Sequence, residues 1–429
     1  MRYSYTFILF VFLTYFCNPA QSQQLDLDYF LNSAVKNDPG IRQNVNQQQV
    51  YGLQTQLINA QNKAPQLNFT SDYLFVPYFG SDGHAISITP NPSANAFGYD
   101  IGLTNGGMYA TQMTLSLPLI YKKTIAALQA QNNNQAASNS GARKQLEHDL
   151  RKSVTDLYIQ VYAAQQTEEY LTTVVQTVKD RKATVEALVK RGLLMQSDYL
   201  LLEIEQNGRE TDLSAARIAE VNAYLALKNA AVISDTTLAR LKEPLLTLQT
   251  NPNSGYYYKE KFKLDSLNLV LTQNVFNTKY LPTLTLGGSG GMLASDFTNI
   301  PHNIGFDASL HLNIPIYDGH QRRINDALVK INQQGITYAR DNFSIQQKNY
   351  LQNIQKQISL YNQNISLINQ LIEKQELLLE LDKEKLQNAQ LSVIDYIKSI
   401  SDYVAAKQSL NVAKVQVLSL ANQYNYYNW

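Results

Sequence analysis

The chain states one order of pieces twice, and that duplication constrains its fold more than any single motif does. The segment MTLSLPLIYKK, residues 113–123, is matched by LHLNIPIYDGH, residues 310–320, with Pro118 opposite Pro315 at an offset of 197. Further on, GLLMQSDYLL (192–201) is matched by AQLSVIDYIK (389–398) at the same offset, so Asp198-Tyr199 faces Asp395-Tyr396. A spacing of 80 residues from Pro to Asp in both halves leaves no loop to absorb an insertion, and so reads as long continuous elements. Upstream, APQLNF (64–69) matches LPTLTL (281–286) at an offset of 217, which places a 20-residue difference between Pro65 and Pro118. That connection is rich in Gly, Asn, Ser and Pro, the composition of an exposed loop that tolerates length change.

Hydrophobic period assigns the pieces. From Ile304 to Ile314 every second residue is apolar (Ile304, Phe306, Ala308, Leu310, Leu312, Ile314), with Gly305, Asp307, Ser309, His311 and Asn313 between them, as a strand with two unlike faces requires. Beyond Gly319 the spacing becomes helical through Ile324, Ala327, Leu328 and Ile331. The same switch occurs after Met113, Leu115 and Leu117. Four short strands are expected, at roughly 66–79, 108–120, 283–294 and 303–316. Long helices follow over 121–235, with a tip near Gly192, and over 317–425, with a tip near 389 where no glycine stands. The 74 residues from Pro315 to that second tip would span on the order of 110 Å as helix. Leu351, Ile354, Ile358, Tyr361, Ile365, Ile368 and Ile372 form a heptad seam, and Val154, Leu157, Val161, Ala164, Leu171 and Val175 form its counterpart, broken at Glu168.

The N-terminus has the pattern of a secretory signal over residues 1–22: Arg2, an apolar run from Phe7 to Phe16, then Ala20-Gln21-Ser22 as a small-x-small cleavage site. The one cysteine, Cys17, could instead carry lipid, although Thr14-Tyr15-Phe16 is bulkier than a lipidation motif prefers. Two repeats then fill the chain, 23–250 and 251–429. No later segment has 18 consecutive apolar residues, so any membrane crossing falls to the strands. A net charge of +1, with only 17% charged residues, gives no bulk attraction to nucleic acid. Four strands cannot close around water, and open edges are not tolerated in lipid, so several chains would each have to contribute a sheet to one barrel. Pro118 and Pro315 would then mark the strand–helix junctions. Lys122-Lys123 and Arg322-Arg323 just beyond could reach lipid headgroups, or could be ordinary solvated charges at a helix start.

These pieces, LPTLTLGGSGG and IPIYDGHQRR in the second half, LPLIYKK and KRGLLMQSDYL in the first, resemble the TolC-like outer membrane efflux proteins in order and spacing over nearly all of the mature chain. The resemblance implies an α+β membrane protein: a homotrimer sharing one twelve-stranded β-barrel in the outer membrane, with a coiled-coil helical tunnel in the periplasm. It implies a passive duct of a tripartite efflux or type I secretion system, fed by a periplasmic adaptor and an inner-membrane transporter of RND or ABC type. It further implies that Asp395 and Asp198 lie at the periplasmic entrance as pore-constricting carboxylates, and that Gly192, Leu193, Leu194, Gln390 and Leu391 meet the adaptor. A ring of carboxylates would attract cations and repel anions. Ser392-x-x-Asp395 and Ser197-Asp198 equally fit helix caps. Lys398 and Leu391 depart from the acidic and arginine residues the family's latch would place there.

No catalytic residue, metal site or cofactor is expected. Gly287-Gly-Ser289-Gly-Gly291 formally fits a nucleophile elbow, but no helix pattern follows it. The five histidines, 84, 148, 302, 311 and 320, lack paired metal spacing. A soluble periplasmic scaffold or adaptor is the competing reading. It explains the helices but not the alternation at 304–314.

Overall fold

The computed structural model describes residues 25–75, 97, 107–249, 255–294 and 302–429. The expected signal segment with Cys17, most of the 80–106 connection and His84 lie outside the described residues. In chain order the elements are α1 (Leu27–Asn37), α2 (Pro39–Lys63), β1 (Gln66–Phe75), β2 (Gly107–Pro118), α3 (Lys122–Lys190), α4 (Gln196–Ala230), α5 (Tyr256–Asn277), β3 (Thr283–Ala294), β4 (Ile304–Asn313), α6 (Gln321–Gln387) and α7 (Val393–Tyr427). The chain divides into two compact units, one of Asn46–Ser140 and Glu260–Ala339, the other of Met1–Val45, Gly141–Lys259 and Arg340–Trp429.

The first of these holds a four-stranded antiparallel sheet in the order β1-β2-β3-β4. The register sorts every residue to a face. Leu67, Phe69 and Tyr73 pair with Leu115, Met113 and Tyr109, and Leu117 pairs with Leu286. Leu284, Leu286 and Met292 pair in turn with Leu312, Leu310 and Ile304. The opposite face carries Asn68-Thr114-Ser289-Asp307 and Thr285-His311 in register. The apolar face is open: Phe306 is 93% exposed and Phe69 66%. Among the described residues both β1 and β4 are edges.

Strand ends follow from pairing. The strand expected over 303–316 stops at Asn313, because β3 begins at Thr283, its partner, and offers nothing to residues 314–316. β2 ends at Pro118 instead of residue 120, and only Leu119 NH adds one more bond, to Leu284 O at 2.8 Å. The proline has no N–H to give. The last part of the strand expected over 66–79 lies outside the described residues. Pro315 stands two residues past β4, and the chain turns into α6 through Asp318-Gly319-His320. The Asp318 carboxylate accepts from His320 N at 2.8 Å and Arg322 N at 2.9 Å. These bonds, the one from Arg322 foremost, hold its pKa below the usual carboxylate value.

In the other unit the heptad seams are the packed faces. Ile354, Ile358 and Ile372 are buried, as are Val154, Val161, Leu171 and Val175. The break at Glu168 is an ion-pair hub, with Arg240 at 3.0 Å and Arg217 at 3.3 Å. α4 stops at Ala230, short of the expected 235, and Val232 enters the left-handed region at φ 54°. Residues 232–249 then run without regular structure along α3. Gln165 holds this strap by donating to Ala239 O and accepting from Leu241 N, each at 2.9 Å, and Tyr158 OH reaches Lys242 O at 2.8 Å. Phe30 on α1 packs edge-on against Tyr158 and Tyr224, closing this core.

Tyr426, His148, Trp429 and Tyr257 form a four-ring column, with centroid spacings of 4.7, 4.0 and 4.2 Å. Burial pushes the His148 pKa below its ordinary 6.5, with the Tyr426 carbonyl and Asp149 opposing and Arg151 assisting. Trp429 is the sole tryptophan, so its fluorescence reports the column. A folded pKa below the unfolded one means the contribution to stability is full above 6.5 and is lost as pH falls through the folded value. On acidification, tryptophan emission is therefore expected to change with a midpoint below 6.5, and His148→Gln to abolish the transition.

Candidate functional site

The two helical tips repeat one piece of geometry. At the end of α3, Leu193 N bonds to Leu188 O at 3.0 Å and Gly192 N to Val189 O at 2.9 Å, with Gly192 at φ 74°. At the end of α6, Gln390 N bonds to Lys385 O at 2.8 Å and Ala389 N to Leu386 O at 3.0 Å, with Ala389 at φ 54°. Both are Schellman turns, and the second forces an alanine into the conformation glycine takes in the first. Ala389→Gly is expected to stabilise the tip by about 1 kcal/mol and Gly192→Ala to weaken it by a similar amount, read by chemical denaturation.

The tips share one core. Leu202, Leu386, Val393, Tyr396, Ile400 and Val404 are buried together with Val174, Val178 and Val185, and Leu194, Leu391 and Tyr199 pack against them. Of the five expected adaptor-contact residues, Gly192, Leu193 and Gln390 are exposed, while Leu194 and Leu391 are half-buried in this cluster.

Asp198 is the third residue of α4. The N-cap is Met195, not Ser197, and the Asp198 carboxylate turns back to accept from Met195 N at 2.9 Å. Asp395 stands in the first turn of α7 behind Ser392, whose hydroxyl accepts from Asp395 N at 3.3 Å. Its side chain is exposed, and so is that of Lys398 one turn on. Both carboxylates thus lie at helix N-termini, where the helix dipole favours them.

Sequence reasoning passed over a polar group close by. A cavity of about 190 Å³ lies between α3, α6 and α7, lined among others by Thr177, Arg181, Glu376, Lys383, Tyr396 and Tyr403. Glu376 accepts from Tyr403 OH and pairs with Lys407, each at 3.1 Å. Burial drives the Tyr396 pKa upward, with Arg181 acting against it. Asp382, 5% exposed, accepts from Ser399 Oγ at 2.7 Å. Ion pairs at 2.9 Å (Lys179–Glu210) and 3.8 Å (Lys182–Glu203) tie α3 to α4. Each of these carboxylates lies 17 or more residues from the group it binds, so no local spacing announces the pairs.

Gly287 to Gly291 belong to β3, not to a strand-to-helix turn. No group of His, Cys, Asp or Glu able to hold a metal ion occurs among the described residues, and no helix there is long and apolar enough to cross a membrane.

No family model and no curated protein matches the sequence. Solved structures do match. The Campylobacter jejuni CmeC outer membrane channel aligns with TM-score 0.69 at 12% identity, over 94% of this chain and 86% of that one. The outer membrane protein VceC of Vibrio cholerae aligns with TM-score 0.67 at 11% identity, over 94% and 96%. The open-state MtrE outer membrane channel of Neisseria gonorrhoeae aligns with TM-score 0.68 at 13% identity, over 94% and 88%. The class of fold is therefore settled. This chain shares the fold of these structures, the TolC-like fold, with long helices and, among the described residues, four strands.

Proposed function

We propose that this protein is the outer membrane duct of a tripartite efflux or type I secretion system, a passive exit for cargo delivered by an inner-membrane transporter through a periplasmic adaptor. The observation that carries the proposal is the sheet: one face is apolar and exposed over all four strands, and both edges are unpaired among the described residues. Neither is compatible with a water-soluble monomer, and both are resolved when copies of the chain close a barrel in lipid. Three copies would supply the twelve strands of the family. A soluble scaffold leaves Phe306 and Ile304, 93% and 71% exposed, without a purpose.

The helices support assembly from copies. α6 bears, besides its buried seam, a second row of exposed apolar residues at heptad spacing: Ile324, Leu328, Ile331, Tyr338 and Ile345. α4 bears another at Ile218, Val221 and Leu225. Such rows match coiled-coil contacts with a neighbouring copy. Asp395, exposed at the tip, would then recur around the pore axis with Asp198 beside it, and the exposed Gly192, Leu193 and Gln390 would meet the adaptor.

Purified mature protein is expected to require detergent, to cross-link as a trimer, and to form channels in planar bilayers that favour cations. Asp395→Asn should remove most of that preference while leaving the trimer intact. A soluble monomer would end the proposal, and unchanged selectivity would end the role of Asp395.

A further inference from the structure

The sheet separates charge along its length. Residues 64–121 and 280–321 contain no Lys or Arg and six Asp. The register brings Gln66, Pro118, Thr283 and Asn313 to one end of the sheet, where all four strands join helices. Cations gather at that end: Lys63 closes α2, Lys122 and Lys123 open α3, Lys279 lies in the 3-10 turn before β3, and Arg322 and Arg323 open α6. All six are exposed, and none has an ion-pair partner among the described residues. The acids nearby are Asp318, committed to the backbone of the turn, and Asp326, bonded to Gln273. The connections at the other end, 76–106 and 295–303, carry Asp82, Asp100 and Asp296 and no Lys or Arg.

The placement runs against the helices' own electrostatics. α3 and α6 have no acid in the first turn and open on paired cations, whereas α1, α4 and α7 carry Asp28, Asp198 and Asp395 there; at α6 the Asp318 carboxylate just ahead of the helix already accepts from Arg322 N, so the mismatch is full at α3 and partial at α6. A cation at a helix N-terminus is repelled by the dipole, and an anion there relieves it while accepting from the free N–H groups. At the same level Ile120, Ile314 and Ile316 are still 48%, 53% and 96% exposed, and the exposed apolar residues beyond them on α6 are the row assigned above to a neighbouring copy. With that row covered by a neighbouring copy, the duct reading puts the change from hydrocarbon to headgroups beside the six cations.

We propose that these six residues form a collar that binds the phosphates of anionic phospholipids in the leaflet on the helix side, fixing the depth and direction of insertion. This rests on the duct reading above. In that reading the collar faces the periplasmic leaflet.

The test uses the full-length protein in nanodiscs of phosphatidylcholine and phosphatidylglycerol in equal parts, with retained lipids counted by native mass spectrometry. Wild type is expected to retain phosphatidylglycerol preferentially, on the order of fivefold per cation engaged. The variant combining Lys122→Gln, Lys123→Gln, Arg322→Gln and Arg323→Gln should lose most of that preference. The paired control Lys348→Gln and Lys356→Gln, on α6 away from the sheet, should keep it. Should the fourfold variant not assemble, raising salt on the wild type must collapse the preference instead. Equal retention of both lipids by wild type, a preference that survives the four substitutions or the salt, or an equal loss in the control overturns the collar. Failure of the wild type to enter a bilayer at all overturns the duct reading.

Discussion

Leu310→Arg is expected to abolish efficient insertion, while His311→Arg, one residue along, leaves it nearly intact. Leu310 is 64% exposed on the apolar face and pairs with Leu286; His311 pairs with Thr285 on the opposite face. An arginine on the lipid face near the midplane of a barrel costs about 2–4 kcal/mol. If each of several copies in one barrel carries it, the penalty is multiplied by their number. On the lumenal face a charge stays hydrated. The measurement is the fraction of protein reaching the folded, protease-resistant form in lipid vesicles across a urea series. Equal tolerance at both positions would mean that the lipid face has been assigned to the wrong side of the sheet.

What the sequence disclosed is what depends on period and repetition. The alternation from Ile304 to Leu312 predicted a face, and the register put Leu284, Leu286, Leu115 and Phe69 on that same side. The seam from Leu351 to Ile372 is half-buried or buried at every step. Repetition also carried the second tip: Ala389 lies at the 197 offset from Gly192 and adopts its backbone conformation, although alanine alone gives no such signal. What stayed hidden depends on partners distant in sequence. Glu168 reads as a flaw in a seam until Arg217 and Arg240 arrive 49 and 72 residues later. Gln165 is one polar residue among many until an irregular strap needs its donor and acceptor. The caps were legible in kind only: Ser392 accepts from Asp395 N, one half of the box its spacing suggested, and Asp198 caps backward onto Met195, a residue without capping chemistry of its own. The lipid collar was half visible in Lys122-Lys123 and Arg322-Arg323. Lys63 and Lys279 join it only once the register shows which strand ends coincide.

The glycine run in β3 yields the second large effect. Gly291 and Gly305 are cross-strand partners on the polar face, yet their surroundings differ. A Cβ at Gly305 would meet nothing within 4 Å, whereas one at Gly291 would overlap the Thr111 carbonyl and sit 2.5 Å from the Gln112 Cα, both main chain of β2. Backbone cannot rotate away as a side chain can, so the β2–β3 pair itself has to part. Gly291→Val is therefore expected to cost about 3 kcal/mol, the upper end of ordinary overpacking, and to reduce assembled barrel, whereas Gly305→Val costs little. β-Branched residues otherwise favour strands, so propensity alone predicts stabilisation at both sites. Unfolding in denaturant, with heat-resistant trimer on gels as a second readout, separates the two expectations. The clash is with the main chain of the directly paired strand, the close backbone approach that a glycine within a strand permits. If Gly291→Val matched Gly305→Val in stability and assembly, β2 would have to lie farther from the Gly291 Cα than this, and the glycine there would have no steric reason.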